Sequence, residues 1–305
     1  MGQRNAGVPE VIPERDIPAS LSSSLVSSVA VALVMGLTAN LAHAADKKPT
    51  NDKLPDWAPK PKPHVIEDRF RVEVMGVGAG LDTQLRMDPS PVTAGTLLNA
   101  EDDFGLDDSK LLPLAEITLL PGARHLIRLS GFGLRRSARN TIDRTIVFDD
   151  QTYLPNEQVD STLNLTMLGL TYGYSIVQLR SVDIALTFGI QVLEVEANAE
   201  VKSRVIRDAE TGVTPLPLIG VEGRYDFNER WSVEARLQYV SVEIDDVEGS
   251  LMDARAALTW RMNPHLVFGL GYRNFNVDVD SRDLDTPGIF ELDMAGPLLF
   301  LRASL

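Results

Sequence analysis

Acid–base and nucleophilic chemistry near neutral pH most often recruits histidine. This sequence has four, His43, His64, His125 and His265. His43 and His64 fall in N-terminal stretches rich in alanine or proline, and the other two sit beside the short turns PGAR (121–124) and NPH (263–265). The densest carboxylate cluster, EDDFGLDD (101–108), belongs to a long connection. Short turns and long connections lie at opposite ends of the strand pattern described below. A Ser–His or Asp–His pair drawing on those carboxylates is therefore excluded by position. The expectation is a protein that is not an enzyme, with no cofactor and no metal site; NVDVDSRD (276–283) does not fit the EF-hand spacing. Absence of cysteine removes disulfides, thiolate zinc sites and lipid-anchoring cysteines. A formal net charge of −14 disfavours nucleic acid as a partner.

A second set of reactive side chains recurs at a spacing of two. It comprises Arg69, Arg71 and Glu73; Glu222 and Arg224; Glu234 and Arg236; Asp253 and Arg255; with Glu116, Arg128, Asp183, Arg273 and Arg302 at matching places in other segments. In an extended chain that spacing puts neighbours on one face. Both signs occur in similar number, so such a set could close an interior by pairing. An ion pathway is the other reading, although a channel lining more often leaves one sign in excess.

The elements that must carry these residues are strands. From residue 68 onward the apolar pattern has a period of two. Ten runs stand out, about 69–87, 111–120, 125–136, 158–176, 182–204, 215–227, 231–245, 250–262, 265–280 and 288–305. PGAR (121–124), VQLRS (177–181), NER (228–230) and NPH (263–265) are tight connections, and the alternate ones are longer. Within the connection 137–157, TIVF (145–148) and TYL (152–154) suggest a hairpin of its own.

Several runs change phase midway. Ile184, Leu186, Phe188, Ile190 and Val192 share one face, but Leu193, Val195, Ala197, Ala199 and Val201 share the other. No Gly or Pro marks a bulge at the switch. A strand crosses a membrane in about 9–11 residues, half the length of such a run. If the lower half stands in lipid, its outward face must be apolar. Above the lipid the outward face meets water and the inward face can be apolar. The run 231–245 switches in the same way, from Trp231, Val233 and Leu237 to Val240, Val242 and Ile244. In 288–305, of opposite direction, the order is reversed, as it should be. The pattern predicts an all-β fold, a ten-stranded antiparallel transmembrane up-and-down β-barrel protruding above the outer leaflet. Phe70, Tyr174, Phe227, Trp231 and Trp260 lie near the short turns, where an interfacial girdle belongs.

The run SLVSSVAVALVMGL (24–37) followed by AHA (42–44) reads as a signal peptide covering 1–44. Residues 45–67 hold five prolines and five lysines and read as a periplasmic tail. The barrel would be 68–305, in the bacterial outer membrane, as a monomer.

FGLDDSKLLPLAEITLLPGARHLIRLSGFGLRRSARNTIDRTIVFDD (104–150) and LGLTYGYSI (168–176) resemble a proteobacterial outer-membrane β-barrel family. More distantly the chain is similar to small barrels of the OmpW type. The resemblance implies location and fold and supplies no substrate. Such barrels usually end in an aromatic residue, whereas this chain ends in Leu305.

The strand pattern divides the interior into two zones. The charged set lies below. Above it an apolar chamber is expected from Met75, Leu81, Phe132, Leu193, Val195, Val240, Val242, Ile244, Phe275, Val277, Phe290 and Leu292. Such a chamber could bind or pass a small hydrophobic molecule. The alternatives are a structural or surface-interaction barrel with a sealed lumen, and a narrow ion channel. Twenty Asp or Glu face five Lys or Arg across 88–110, 137–160, 205–214, 245–250 and 280–291, a surface that could bridge lipopolysaccharide through divalent cations. Outer-membrane lipid is the other expected partner.

Overall fold

In the computed structural model, residues 69–304 are described, except 91–93, 149–150, 202–205, 245–246 and 283–286, and except the side chains of 148, 151, 206–214 and 244. The expected signal peptide, the tail, Leu305 and the side chain of Ile244 lie outside the described residues.

Thirteen strands are described: β1 (Phe70–Met87), β2 (Leu98–Asn99), β3 (Ser109–Gly122), β4 (His125–Thr141), β5 (Ile146–Phe148), β6 (Gln151–Tyr153), β7 (Gln158–Gln178), β8 (Val182–Val201), β9 (Ile206–Asp226), β10 (Trp231–Ile244), β11 (Val247–Asn263), β12 (Leu266–Ser281) and β13 (Gly288–Ser304). Ten of them, all but β2, β5 and β6, pair with their chain neighbours, and β13 closes on β1 from Arg71↔Ser304 to Met87↔Gly288. The fold is a closed ten-stranded antiparallel barrel. Closure leaves no unpaired edge in the wall.

The expected runs correspond to the barrel strands, with three differences. Residues 137–141 continue β4, and most of 205–214 belongs to β9. Acidic and turn-forming residues there gave the sequence a loop-like composition, but the backbone pairs with β8 without a break from Val182↔Tyr225 to Val201↔Ile206. β11 likewise begins at Val247, inside a stretch read as a connection. The wall is therefore taller than the sequence suggested. β8 has 20 residues. At about 3.3 Å per residue and a tilt near 45° it rises roughly 45 Å, against an apolar band of about 25 Å in outer-membrane barrels.

The phase change occurs without a change in geometry. Leu186, Phe188, Ile190 and Val192 are exposed on the outside, whereas Leu193, Ala199 and Val201 are buried inside. No register shift separates the two halves of β8. Around the barrel the lower outside is a continuous apolar band, including Leu168 and Leu170 on β7, Leu258 on β11, Leu270 on β12 and Leu299 on β13. An exposed apolar belt of this extent is incompatible with water and suits hydrocarbon. Near the short turns Trp231 and Trp260 stack with ring centroids 6.3 Å apart, and Tyr225 meets Phe227 edge-on at 5.2 Å.

The connection between β1 and β3 and that between β4 and β7 fold inward. β2 adds to β1 through Gln84↔Asn99 and Leu85↔Leu98, above the point where β3 starts. β5 and β6 form the hairpin expected from the sequence. Together these segments cap the mouth opposite the short turns.

Candidate functional site: the barrel interior

Three tiers fill the interior. The lowest is the charged set. Alternation along each strand turns Arg71 and Glu73 inward on β1, Glu116 on β3, Arg128 on β4, Glu222 and Arg224 on β9, and Glu234 and Arg236 on β10. Asp253 and Arg255 on β11, Arg273 on β12 and Arg302 on β13 are buried beside them. Asp183 reaches the rim of this tier. Arg69 precedes β1 and is exposed, so it does not join the set; the inward alternation begins only once β1 is paired.

Register puts both opposite and like charges side by side in this tier: Glu73 faces Arg302, Arg236 faces Glu222 and Glu234 faces Arg224, but like charges also meet. Arg236, Arg255 and Arg273 are directly opposite one another on three adjacent strands, and Glu73 is opposite Glu116. Like charges in cross-strand pairs are destabilising. The like-charge contacts are offset partly across the lumen and partly between neighbouring strands. Arg236 on β10 donates to both oxygens of Glu116 on β3, at 2.8 and 3.0 Å. Arg302 donates to Glu73 at 2.6 Å and to both oxygens of Glu234 at 2.8 and 2.7 Å. Arg255 lies 2.6 Å from Glu73, and Arg128 donates to Glu222 at 2.8 Å. Arg273 forks onto Asp253 at 2.9 and 2.8 Å. Two-pronged guanidinium–carboxylate contacts of this kind fix geometry as well as charge.

The middle tier is apolar. Met75, Leu81, Phe132, Leu193, Val240, Phe275, Val277 and Leu292 belong to one buried cluster, with Val195, Val242 and Phe290 packed against it. Phe132 meets Phe275 edge-on at 5.7 Å. The tier is joined to the one below by Phe300, over whose ring the guanidinium carbons of Arg255 and Arg302 lie at 4.3 and 5.2 Å. Phe300 fits because residue 269, opposite it on β12, is glycine; a Cβ there would lie 2.1 Å from the ring.

Sequence reasoning missed several members. Leu216 and Leu218 point inward, in alternation with Pro215 and Pro217. Leu298 and Phe300 are inward too, but Leu298–Leu301 is apolar on both faces, so alternation could not separate them.

The top tier is the cap. Leu85, Val159, Leu163, Ala199 and Val201 of the wall pack against Leu98, Phe104, Leu106, Ile142, Ile146 and Tyr153 of the connections. The cluster EDDFGLDD is accordingly not a free acidic loop. Phe104 and Leu106 are buried, and Gly105 turns the backbone between them at φ 70°. Glu101 pairs with Arg136, whose side chain is fully buried and also donates to Thr83 Oγ1. Asp103 pairs with Arg144 at 2.7 Å. Arg136 ends one of the expected runs, and its parity with Phe132 and Leu134 was the available signal.

A cavity of about 140 Å³ enters the charged tier from the short-turn end, with Arg124 and Leu179 at its exposed rim. His125 lies at the same end, its Nδ1 2.8 Å from the Tyr172 hydroxyl, and His265 Nδ1 is 3.1 Å from the Ser304 carbonyl oxygen.

No protein-family model matches the chain, and no curated protein sequence matches it. Solved structures do. The outer membrane protease OmpT from Escherichia coli aligns over 77% of this chain and 96% of its own, with 9% identity and a TM-score of 0.51. Ail, the attachment invasion locus protein of Yersinia pestis, aligns over 75% and 98%, with 8% identity and a TM-score of 0.34. The toluene transporter TodX of P. putida aligns over 78% and 90%, with 6% identity and a TM-score of 0.34. The first of these is a likeness of fold alone, that of a bacterial outer-membrane barrel.

Proposed function

We propose that this protein is a sealed, monomeric barrel of the bacterial outer membrane that acts through its outer surface and not through its lumen. In this reading the short turns face the periplasm, and the tall wall and cap stand outside the cell. One observation carries it. Paired charges, a packed apolar core and a structured cap follow one another along the axis, and each tier is buried. An ion channel would need a continuous polar path. Passage of a small apolar molecule would require Val77, Phe275 and Val277, which are fully buried, to move aside. The role left is to stiffen the membrane and present a rigid, acidic crown. Outer-membrane lipid contacts the apolar band. Lipopolysaccharide would meet the carboxylates above it through divalent cations. No catalytic role is assigned.

The test is single-channel recording on the purified protein in a planar bilayer, with and without an apolar solute. Silence in both conditions is expected. Stable conductance, or a conductance changed by the solute, would overturn the proposal.

A further inference from the structure

Just above the apolar band, the outer face of β12, β13 and β1 carries four carboxylates in two directly opposed pairs, Asp82↔Asp293 and Asp278↔Glu291. The residues beside them in each strand, among them Leu81, Thr83, Val277, Leu292 and Met294, are buried on the inner face, so the carboxylates point outward. Opposed side chains in a sheet stand about 4.5–5.5 Å apart, and like charges there are destabilising. Two other like-charge pairs on the outer wall each have an arginine. Arg139 forks onto Asp160, which is opposite Glu200, and Arg282 lies 3.8 Å from Glu248, which is opposite Glu243. Among the described residues, no arginine or lysine forms an ion pair with Asp82, Asp278, Glu291 or Asp293. Arg86, on the same face of β1, is forked onto Asp88 at 2.8 and 3.1 Å.

Two asparagines on this face point to what balances the patch. Asn274 is 1% exposed, and neither its amide oxygen nor its amide nitrogen has a hydrogen-bond partner. Ala254 and Ala295 are opposite it on the two neighbouring strands, and their methyl groups cannot take up the amide. Asn276 follows it on the outward face of β12 and is opposite Asp293, to which its nitrogen donates a hydrogen bond. The Asn276 oxygen, also buried, has no partner. Buried amides without partners are rare and usually mark an unseen water or ion. Asn99 donates to Asp82 at 2.8 Å and fixes that carboxylate from the side of the cap. Two amide oxygens beside two carboxylates make a set of hard oxygen donors, the kind that Ca²⁺ and Mg²⁺ take.

We infer that Asp82, Asp293, Asn274 and Asn276 form a binding site for a divalent cation, with Asp278 and Glu291 adding negative charge at its rim. Its height assigns the partner. The outward residues directly below it on β12 are Tyr272 and Leu270, both exposed in the apolar band, so the cation stands at the level of the outer-leaflet head groups. A Ca²⁺ ion takes roughly 6–8 oxygen ligands, more than these side chains supply, and the rest come from water or from a lipopolysaccharide phosphate. The site deepens the reading of the acidic crown and rests on it for the orientation of the barrel in the membrane. It does not depend on whether the lumen conducts.

The test is isothermal titration of the purified barrel in detergent, free of lipopolysaccharide and stripped of metal with a chelator, with calcium chloride and magnesium chloride as separate probes. Saturable one-to-one binding of at least one of the two ions is expected. Asp293→Asn should weaken it about tenfold or more, since affinity follows the charge of the ligand set. Asn274→Leu removes the amide, keeps a side chain of similar size and should weaken binding in a barrel that still folds. Glu229→Gln neutralises a carboxylate at the short-turn end and should leave binding unchanged. No saturable binding by folded wild type would overturn the inference. So would binding left unchanged in both Asp293→Asn and Asn274→Leu, or weakened equally by Glu229→Gln, the mark of a diffuse charge effect. Lipopolysaccharide added to the cation-loaded barrel should co-elute with it and be released by the chelator. Co-elution indifferent to the chelator and to Asp293→Asn would overturn the bridging role. The bilayer recording tests the sealed lumen separately, so failure of either reading is told from failure of the other.

Discussion

Glu116→Gln tests whether the charged tier holds the barrel together. Glu116 is 6% exposed and accepts both hydrogen bonds of Arg236, with Arg128 at 3.5 Å and Arg255 at 3.9 Å. The variant keeps the size and removes the charge. It leaves three guanidinium groups around a neutral amide, two of them, Arg236 and Arg255, in direct cross-strand register. One charge pair at 4 Å amounts to about 4 kcal/mol at an effective dielectric near 20. Removing one partner of a buried pair typically costs about 3–5 kcal/mol. With a urea dependence near 3 kcal/mol per M, the unfolding midpoint should fall by roughly 1–1.7 M. The assay is urea unfolding in lipid vesicles, followed by fluorescence of Trp231 and Trp260. Replacing both partners, Glu116→Leu with Arg236→Met, should recover much of the loss, because apolar residues of similar volume replace such pairs at little cost. Glu222 and Glu73 remain to hold Arg128 and Arg255. A midpoint lowered by less than about 0.3 M in Glu116→Gln would refute the argument. A double variant as unstable as the sum of its parts would also do so.

Other predictions address the remaining tiers. Phe275→Ala empties the centre of the apolar tier and should cost about 3–5 kcal/mol, read as a lowered midpoint of heat-induced mobility change in gels. Arg136→Met removes the cation beneath the cap and strands Glu101; limited proteolysis should cut the connection between β1 and β3 sooner, with the strands intact. Above the apolar band, burial and then the neighbouring carboxylates Asp278, Asp293 and Asp82 raise the pKa of Glu291. For Asp293 burial again comes first, offset in part by the hydrogen bond from Asn276, with Asp278 and Asp82 adding to the rise. A carboxyl whose pKa is higher folded than unfolded binds its proton more tightly when folded. Its destabilising effect is full above the raised value and fades as pH falls toward the ordinary carboxylate range. The difference in melting temperature between Asp293→Asn and wild type should therefore shrink from about pH 7 to about pH 4. A constant difference would count against the assignment.

The phase switch in 184–201 was legible because strand alternation is strict and the environment outside the wall changes from lipid to water. Each side chain reports its own surroundings, so ten runs, their directions and most of the inward faces could be read residue by residue. Where both faces are apolar, as around Leu298 and Phe300, that reading failed. It failed again over 205–214, where acidic and turn-forming residues gave part of β9 the composition of a loop. The cap was illegible for a related reason: Phe104 and Leu106 are two apolar residues in an acidic stretch, and their burial depends on Ile142, Ile146 and Tyr153, which come from another connection.

The sequence by itself determined the fold class, the height of most of the wall and which residues face the interior, since these depend on local alternation and its surroundings. Only the tertiary structure decided what the interior does. Closure of β13 on β1 sets the stagger that brings Arg236 to Glu116 across the lumen, although 120 residues separate them. Pairing across a barrel depends on the register of every strand around the ring, and no local stretch of sequence contains that information.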